Sequence, residues 1–417
     1  MTQHLAIWII ASIATAGVIL RPFRLPEAIW AVAGAALLLV LGLISIGDAM
    51  TGIGRGADVY LFLTGMMLLA EIARLEGLFD WLAAVATRRA KGSARRLFLL
   101  IYGVGTVVTI FLSNDATAVV LTPAVAAAAK TAKADNPLPY LLICAFIANA
   151  ASFVLPISNP ANLVIYGSHM PALAQWLPRY LPASALSIVA TFVALRWTQR
   201  DALDQSVAKD IETPALNRGG KTAALGIVGT AVALLAASAA DIQLGLPTAI
   251  AGILTAAIVL IRERSSPWAM VKDISWGVLP LVAGLFVLVE ALDKTGLIRS
   301  IGNILHDQAQ RSPSWAAWGA GTVVAFASNL MNNLPVGLIA GGAVQGAHAP
   351  EAVTGAILIG VDLGPNLSVT GSLATILWLT ALRREGQSVG AWTFLKLGFL
   401  VMPPALILAT GAAVLIG

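Results

Sequence analysis

The chain has 417 residues, of which 58% are hydrophobic and 11% charged, against roughly 25% charged in a soluble domain. Apolar runs recur along its whole length at about the size a 30 Å bilayer core requires, which excludes a water-soluble fold. The net charge of +5 lies in the connecting loops, where basic residues set membrane orientation, so nothing calls for a nucleic-acid partner.

Residues 5–20 lack a basic leader and are followed by Arg21 and Arg24, so they read as a first span rather than a cleavable signal. Further apolar segments are predicted near 28–47, 57–75, 97–129, 138–168 and 181–197. The polar stretch 200–221, with Pro214 and Gly219-Gly220, reads as a cytoplasmic linker. Apolar segments resume near 222–240, 246–262, 274–292, 314–347, 351–380 and 391–416. The expected organisation is therefore a first membrane repeat at 1–199, the linker, and a second repeat at 222–417.

Segments 97–129 and 314–347 are too long for straight spans at 1.5 Å per residue. Each breaks at a polar tip, Ser113-Asn114-Asp115-Ala116-Thr117 in one and Ser328-Asn329-Leu330-Met331-Asn332-Asn333 in the other. Re-entrant hairpins account for both. With hairpins re-entrant and both termini outside, 21 of the 26 basic residues fall on the inner side, leaving Arg55, Arg179, Lys294, Arg299 and Arg311 outside.

The halves repeat one another. Glu71 precedes Gly77-Leu78 as Glu290 precedes Gly296-Leu297, Gly65 matches Gly284, and Asn114-Asp115 matches Asn332-Asn333. Further along, Asn149 matches Asp362 and Ser158-Asn159 matches Gly371-Ser372. Five spanning helices plus one hairpin per half is an odd number of crossings, so the second half is expected upside down. Inverted repeats with broken helices are a mark of secondary transporters that hold their solute near the midplane.

Two more interruptions fall inside spans, one at 155–162 with Pro156, Ser158, Asn159, Pro160 and Asn162, the other at 362–372 with Asp362, Pro365, Asn366, Ser368, Thr370 and Ser372. Proline removes a helix N–H and clashes with the preceding turn, and such backbone is tolerated at depth only where protein or water satisfies it. Four breaks at one depth form a cage of neutral hydrogen-bonding groups. The expected solute site is Ser113, Asn114, Asp115, Thr117, Ser158, Asn159, Asn162, Asn332, Asn333, Asn366, Ser368, Thr370 and Ser372. Asp115 and Asp362 are the expected proton-linked carboxylates. Glu71 and Glu290 sit at span ends near Arg74 and Lys294, where pairing or capping is expected.

A lone cysteine, Cys144, excludes an intrachain disulfide and a multi-thiolate metal site. His169, His306 and His348 are expected in loops, and His4 near the N-terminus, which offers no histidine metal site. No P-loop pattern occurs, so the chain does not hydrolyse ATP alone, and no enzyme-like nucleophile–base pair is seen. The segments Gly77 to Arg96 and Gly296 to Pro313 read as arms linking a span to each hairpin. The first is amphipathic and is expected on the inner surface.

The runs Phe111-Leu112-Ser113-Asn114-Asp115, Met331-Asn332-Asn333-Leu334-Pro335, Asp362-Leu363-Gly364-Pro365 and Gly371-Ser372-Leu373-Ala374-Thr375, with Ser158-Asn159 and Asn162, resemble the arsenite efflux permease family (ArsB) of the wider ion-transporter superfamily. The resemblance covers nearly the whole chain. It implies an all-α inner-membrane carrier without a cofactor, exporting trivalent arsenic or antimony hydroxides in exchange for protons. It makes the ArsA ATPase a candidate cytoplasmic partner. Asn149 stands where that family usually has Asp. The readings that compete are a sodium/proton antiporter of NhaD type, a sodium-coupled carboxylate carrier among the divalent-anion/sodium symporters, and a passive channel.

Overall fold

The computed structural model describes residues 2–167, 170–209 and 215–416; His169 and Pro214 lie outside the described residues. Among the described residues the chain is all helical, with no strand. The first half contains α1 (Thr2–Leu20), α2 (Glu27–Val40), α3 (Ile46–Arg55), α4 (Ala57–Leu75) and α5 (Leu78–Arg89). It continues with α6 (Ala94–Phe111), a π-helical turn (Ala116–Leu121) leading into α7 (Thr122–Thr131), α8 (Leu138–Ala150), α9 (Pro160–Tyr166) and α10 (Leu173–Thr198). The second half contains α11 (Arg218–Ala239), α12 (Gly245–Glu263), α13 (Pro267–Asp273), α14 (Val278–Lys294) and α15 (Leu297–Arg311). It closes with α16 (Pro313–Met331), α17 (Asn333–Ala347), α18 (Glu351–Leu363), α19 (Leu373–Arg384) and α20 (Ala391–Ile416).

Among the described residues six helices are long and apolar enough to cross a membrane: α1, α6, α10, α11, α12 and α20. Counting the bent pairs α3–α4 (47°) and α13–α14 (41°) as single spans gives up to eight. The expected segment 28–47 is shorter than its apolar run suggested. Its helix α2 stops at Val40, and α3 starts afresh because the Ser45 hydroxyl accepts from the Asp48 N–H at 3.0 Å. The connection between halves is also tighter than expected, since Lys221 already belongs to α11.

The two long segments break at the polar tips, one between α6 and the π-turn, the other at Asn332. Gly77 (φ 69°) and Gly296 (φ 82°) start α5 and α15 at equivalent places, each in the left-handed region that lets the chain turn sharply out of the preceding span. Helix α5 packs on α6 and α7 and buries Phe79. His306, expected in a loop, lies within α15, where Nδ1 is 3.2 Å from the Ala347 carbonyl. The arm simply stays helical through that position.

Packing in the two halves corresponds. Helix α4 lies on α12 as α14 lies on α2, α6 on α8 as α16 on α18, and α5 on α7 as α15 on α17. Helices α10 and α20, the last helix of each half, pack on each other. The α4–α12 and α14–α2 contacts use matched glycines. A Cβ on Gly65 would meet the Thr248 carbonyl oxygen at 2.2 Å, and one on Gly284 would meet the Ala31 backbone at 2.7 Å. Small residues that let backbones approach are how apolar helices associate without a hydrophobic driving force between them.

Candidate functional site

The breaks are stabilised by side chains that take up freed backbone N–H groups. Asn114 Oδ1 accepts from the Asp115 N–H at 2.9 Å. Asn159 Oδ1 accepts from Ala161 at 3.0 Å, and Ser372 Oγ from Thr375 at 3.1 Å. Asn332 caps α17 by accepting from Leu334 at 3.3 Å, and does so at φ 73°, ψ 150°. A non-glycine residue held there carries backbone strain of the kind that clusters at functional sites.

Two bonds tie the breaks together in pairs. The Asn333 N–H donates to the Gly371 carbonyl at 2.9 Å, joining the second hairpin to the 362–372 interruption. The Ser158 hydroxyl donates to the Ile110 carbonyl at 3.0 Å, joining the 155–162 interruption to the first hairpin. All four breaks then meet at a cavity of about 40 Å³, lined by Asn114, Asp115, Asn159, Asn332, Asn333 and Ser372 with Pro160 and Pro335. Leu63 of α4 and Val278, Leu281 and Leu285 of α14 close it, with Val18 and Glu27 at its edge. No lysine or arginine lines it among the described residues. Glu27 is paired with Arg21.

The other expected site residues surround this cavity rather than line it. Thr117 is fully buried and bonded to Thr109 at 2.8 Å. Asn162 donates to the Ser152 carbonyl at 2.9 Å, Ser368 to Asn329 Oδ1 at 2.7 Å and Thr370 to the Asn329 carbonyl at 2.9 Å. Ser113 caps Ala116 and faces the vestibule described below. Behind the cavity lies a buried polar layer. Asn159 Nδ2 donates to Asp362 Oδ1, while Asp362 Oδ2 makes no hydrogen bond among the described residues. Asn149 donates to Asn366 Oδ1 at 3.0 Å, and Asn366 to the Phe146 carbonyl at 3.0 Å.

Two vestibules flank the cavity. One, of about 480 Å³, reaches Asp115, Leu63, Pro160 and Val278, which also line the cavity, and has Arg74, Lys272 and Arg384 on its wall. The other, of about 770 Å³, is lined by Arg55, Asp58, Glu290, Asp293 and Arg299 and shares no lining residue with the cavity. The cavity therefore adjoins the vestibule on the Arg74 side rather than the one on the Arg55 side. Glu71 and Glu290 are the ion-pair members the sequence suggested, but Glu290 bonds Arg55 at 2.5 Å while Lys294 pairs with Asp48 at 2.8 Å. Arg74 holds Glu71 at 2.5 Å and reaches Asp273 of α13 at 2.9 Å.

Sequence reasoning missed the opposing wall. Leu63 and the α14 leucines carry no polar mark that separates them from lipid-facing residues. Glu27 had a signal, a carboxylate at the edge of an apolar run, that was passed over.

A family model described as citrate transporter matches residues 6–363. The chain is 28% identical over 399 residues to an arsenical pump membrane protein of Yersinia enterocolitica, covering 91% of each. It is 28% identical over 400 residues to the protein of the same name in Escherichia coli strain K12, covering 92% of each. In structure it resembles the YdaH transporter of Alcanivorax borkumensis, with a TM-score of 0.58 at 16% identity over 88% of this chain and 86% of that one.

Proposed function

Since this chain belongs to the citrate transporter family, we propose that it is a secondary carrier and that its cargo is arsenite or antimonite, exported across the inner membrane in exchange for protons. One observation carries the choice of cargo: the cavity is small, it presents the amides of Asn114, Asn159, Asn332 and Asn333 and the Ser372 hydroxyl among apolar side chains, and among the described residues its charged lining is the two acids Asp115 and Glu27, with no lysine or arginine. A water needs roughly 10–15 Å³ of such space, so about 40 Å³ suits a solute of a few heavy atoms. Arsenite, a neutral trihydroxide, has four. Its hydroxyls both donate and accept, as do the amides and hydroxyl around it. The arsenical-pump relatives support the same cargo.

Asp115 stands where the cavity meets the open vestibule, placed to exchange a proton with water on that side. Asp362 reaches the cavity through Asn159, and its Oδ2, without a hydrogen bond among the described residues, is a place for a proton. The two halves are read as inverted repeats, with both termini outside and the Arg74 vestibule facing the cytoplasm. The arms α5 and α15 would let the hairpins move against a fixed scaffold. An ArsA-type ATPase is a candidate partner on the cytoplasmic side.

A carboxylate or sodium carrier is the second reading. Helices α17 and α19 begin at the cavity, and helix N-termini attract anions. Arsenite uptake into inverted vesicles under an imposed proton gradient decides between them, run beside citrate uptake with a sodium gradient. Proton-dependent arsenite uptake is expected, with Asp115→Asn and Asp362→Asn each losing at least about tenfold, the scale of 1.4 kcal/mol. Full uptake in both variants rejects proton coupling, and citrate uptake alone rejects the cargo.

A further inference from the structure

Far from the solute cavity, α10 carries two adjoining depressions on its outer surface. The first, of about 390 Å³, is lined by Arg95, Arg196 and Arg200 with Phe192, Val193 and Trp197. The second, of about 380 Å³, is wholly apolar. Leu186, Val189, Val193 and Trp197 of α10 form one side, Pro404 and Leu408 of α20 the other. Val193 and Trp197 belong to both, so the basic pocket runs directly into the apolar groove.

We infer that this feature is a binding site for an anionic phospholipid, with the phosphate on the three arginines and an acyl chain in the groove. Three observations point to that occupant. Among the described residues the charge is net positive: Arg95 faces Asp204 at 3.4 Å and Arg200 faces Asp201 at 3.6 Å, both acids highly exposed, while Arg196 lies over the Phe192 ring with no acidic partner there. The groove from Trp197 to Leu186 spans eleven residue steps of helix, roughly 16 Å at 1.5 Å each, which is about one leaflet of a 30 Å hydrocarbon core. Trp197, 58% exposed, sits where the two meet with Arg200 against its ring at 5.8 Å, the place an interfacial tryptophan occupies between headgroup and tail. Charges that only set orientation need no concavity and no apolar groove below them. Basic pockets beside membrane helices hold anionic headgroups on the cytoplasmic face, and these arginines lie on the side where the basic residues gather.

Trp197 itself supplies the readout. The full-length protein is placed in nanodiscs of phosphatidylcholine doped with a small fraction of phosphatidylglycerol or phosphatidylcholine brominated on the acyl chain. Brominated phosphatidylglycerol should quench a component of tryptophan emission that is missing in Trp197→Phe, at a concentration about fivefold or more below that of the choline lipid, one guanidinium near the surface giving about that factor. The combined variant Arg95→Gln, Arg196→Gln, Arg200→Gln should quench equally with both lipids, and millimolar inorganic phosphate should not compete with the lipid in the wild type. Equal quenching of the wild-type protein by both lipids overturns the proposal, whether or not the triple variant folds. So does a preference that survives the triple substitution, or one abolished by free phosphate.

Discussion

Asn149 occupies the position that the sequence matches to Asp362, and the structure uses its amide as a donor. It gives one hydrogen bond to Asn366 Oδ1 at 3.0 Å and a longer one to Thr375 Oγ1 at 3.5 Å, in a fully buried setting. An aspartate there has no N–H to give and sets its oxygens against an acceptor. Asn149→Asp should therefore lower the thermal midpoint of the detergent-solubilised protein, at a cost of about 2–4 kcal/mol, and more than Asn149→Ser does. An unchanged midpoint would mean that the polar layer rearranges around the carboxylate. The departure from the acid expected at this position was readable in the sequence. Its partner, Asn366, had been expected in the solute site, because residue type alone does not distinguish an amide that faces a cavity from one that braces a helix break.

Between elements, two kinds of contact hold the framework. Helices α4 and α12 touch at Gly65, and α14 and α2 at Gly284, with no room for a Cβ. Gly65→Ala should cost about 1–3 kcal/mol through forced separation of the helices. Gly103→Ala in α6, where a Cβ meets nothing within 4 Å, should be neutral or slightly stabilising, since alanine favours helix by up to about 1 kcal/mol. Equal effects in a thermal-shift series would refute the packing argument. The second contact is electrostatic. Glu290 of α14 is 4% exposed and held by Arg55 of α3, which is 57% exposed. Arg55→Ala strands a buried carboxylate, whereas Glu290→Gln leaves an arginine that reaches water, so the arginine variant should melt lower. Neither α3 nor α13 was visible in the hydropathy pattern. Both are short and fall between the apolar runs, α3 carrying Asp48 and Arg55 and α13 bounded by Arg262-Glu263-Arg264 and Lys272-Asp273, so only the caps at Ser45 and Ser266 mark where a new helix starts.

At the scale of the whole molecule, the cavity shares lining residues with the Arg74 vestibule and none with the Arg55 vestibule. Asn333→Cys should therefore react with a membrane-impermeant maleimide added on the Arg74 side and not on the Arg55 side. The native thiol, Cys144, is fully buried and should give little background. Labelling from the Arg55 side alone would reverse the assignment of the open face. Orientation in the membrane follows from the count of basic residues, but which face is open in this conformation does not. That depends on how closely α4 and α14 approach the hairpin tips.

Composition and the spacing of apolar runs determined that the chain is a helical membrane protein, because burying backbone in lipid leaves helices as the economical solution for such segments. The four broken places were legible too, since proline and amide clusters are costly at depth and stand out. Which of the polar residues meet was decided by tertiary structure alone. Asn114, Asp115, Asn159, Asn332, Asn333 and Ser372 turn inward while Thr117, Asn366, Ser368 and Thr370 bond to neighbouring protein groups. A side chain's direction depends on the local dihedrals of an unwound segment and on what packs behind it, and neither is written in residue type.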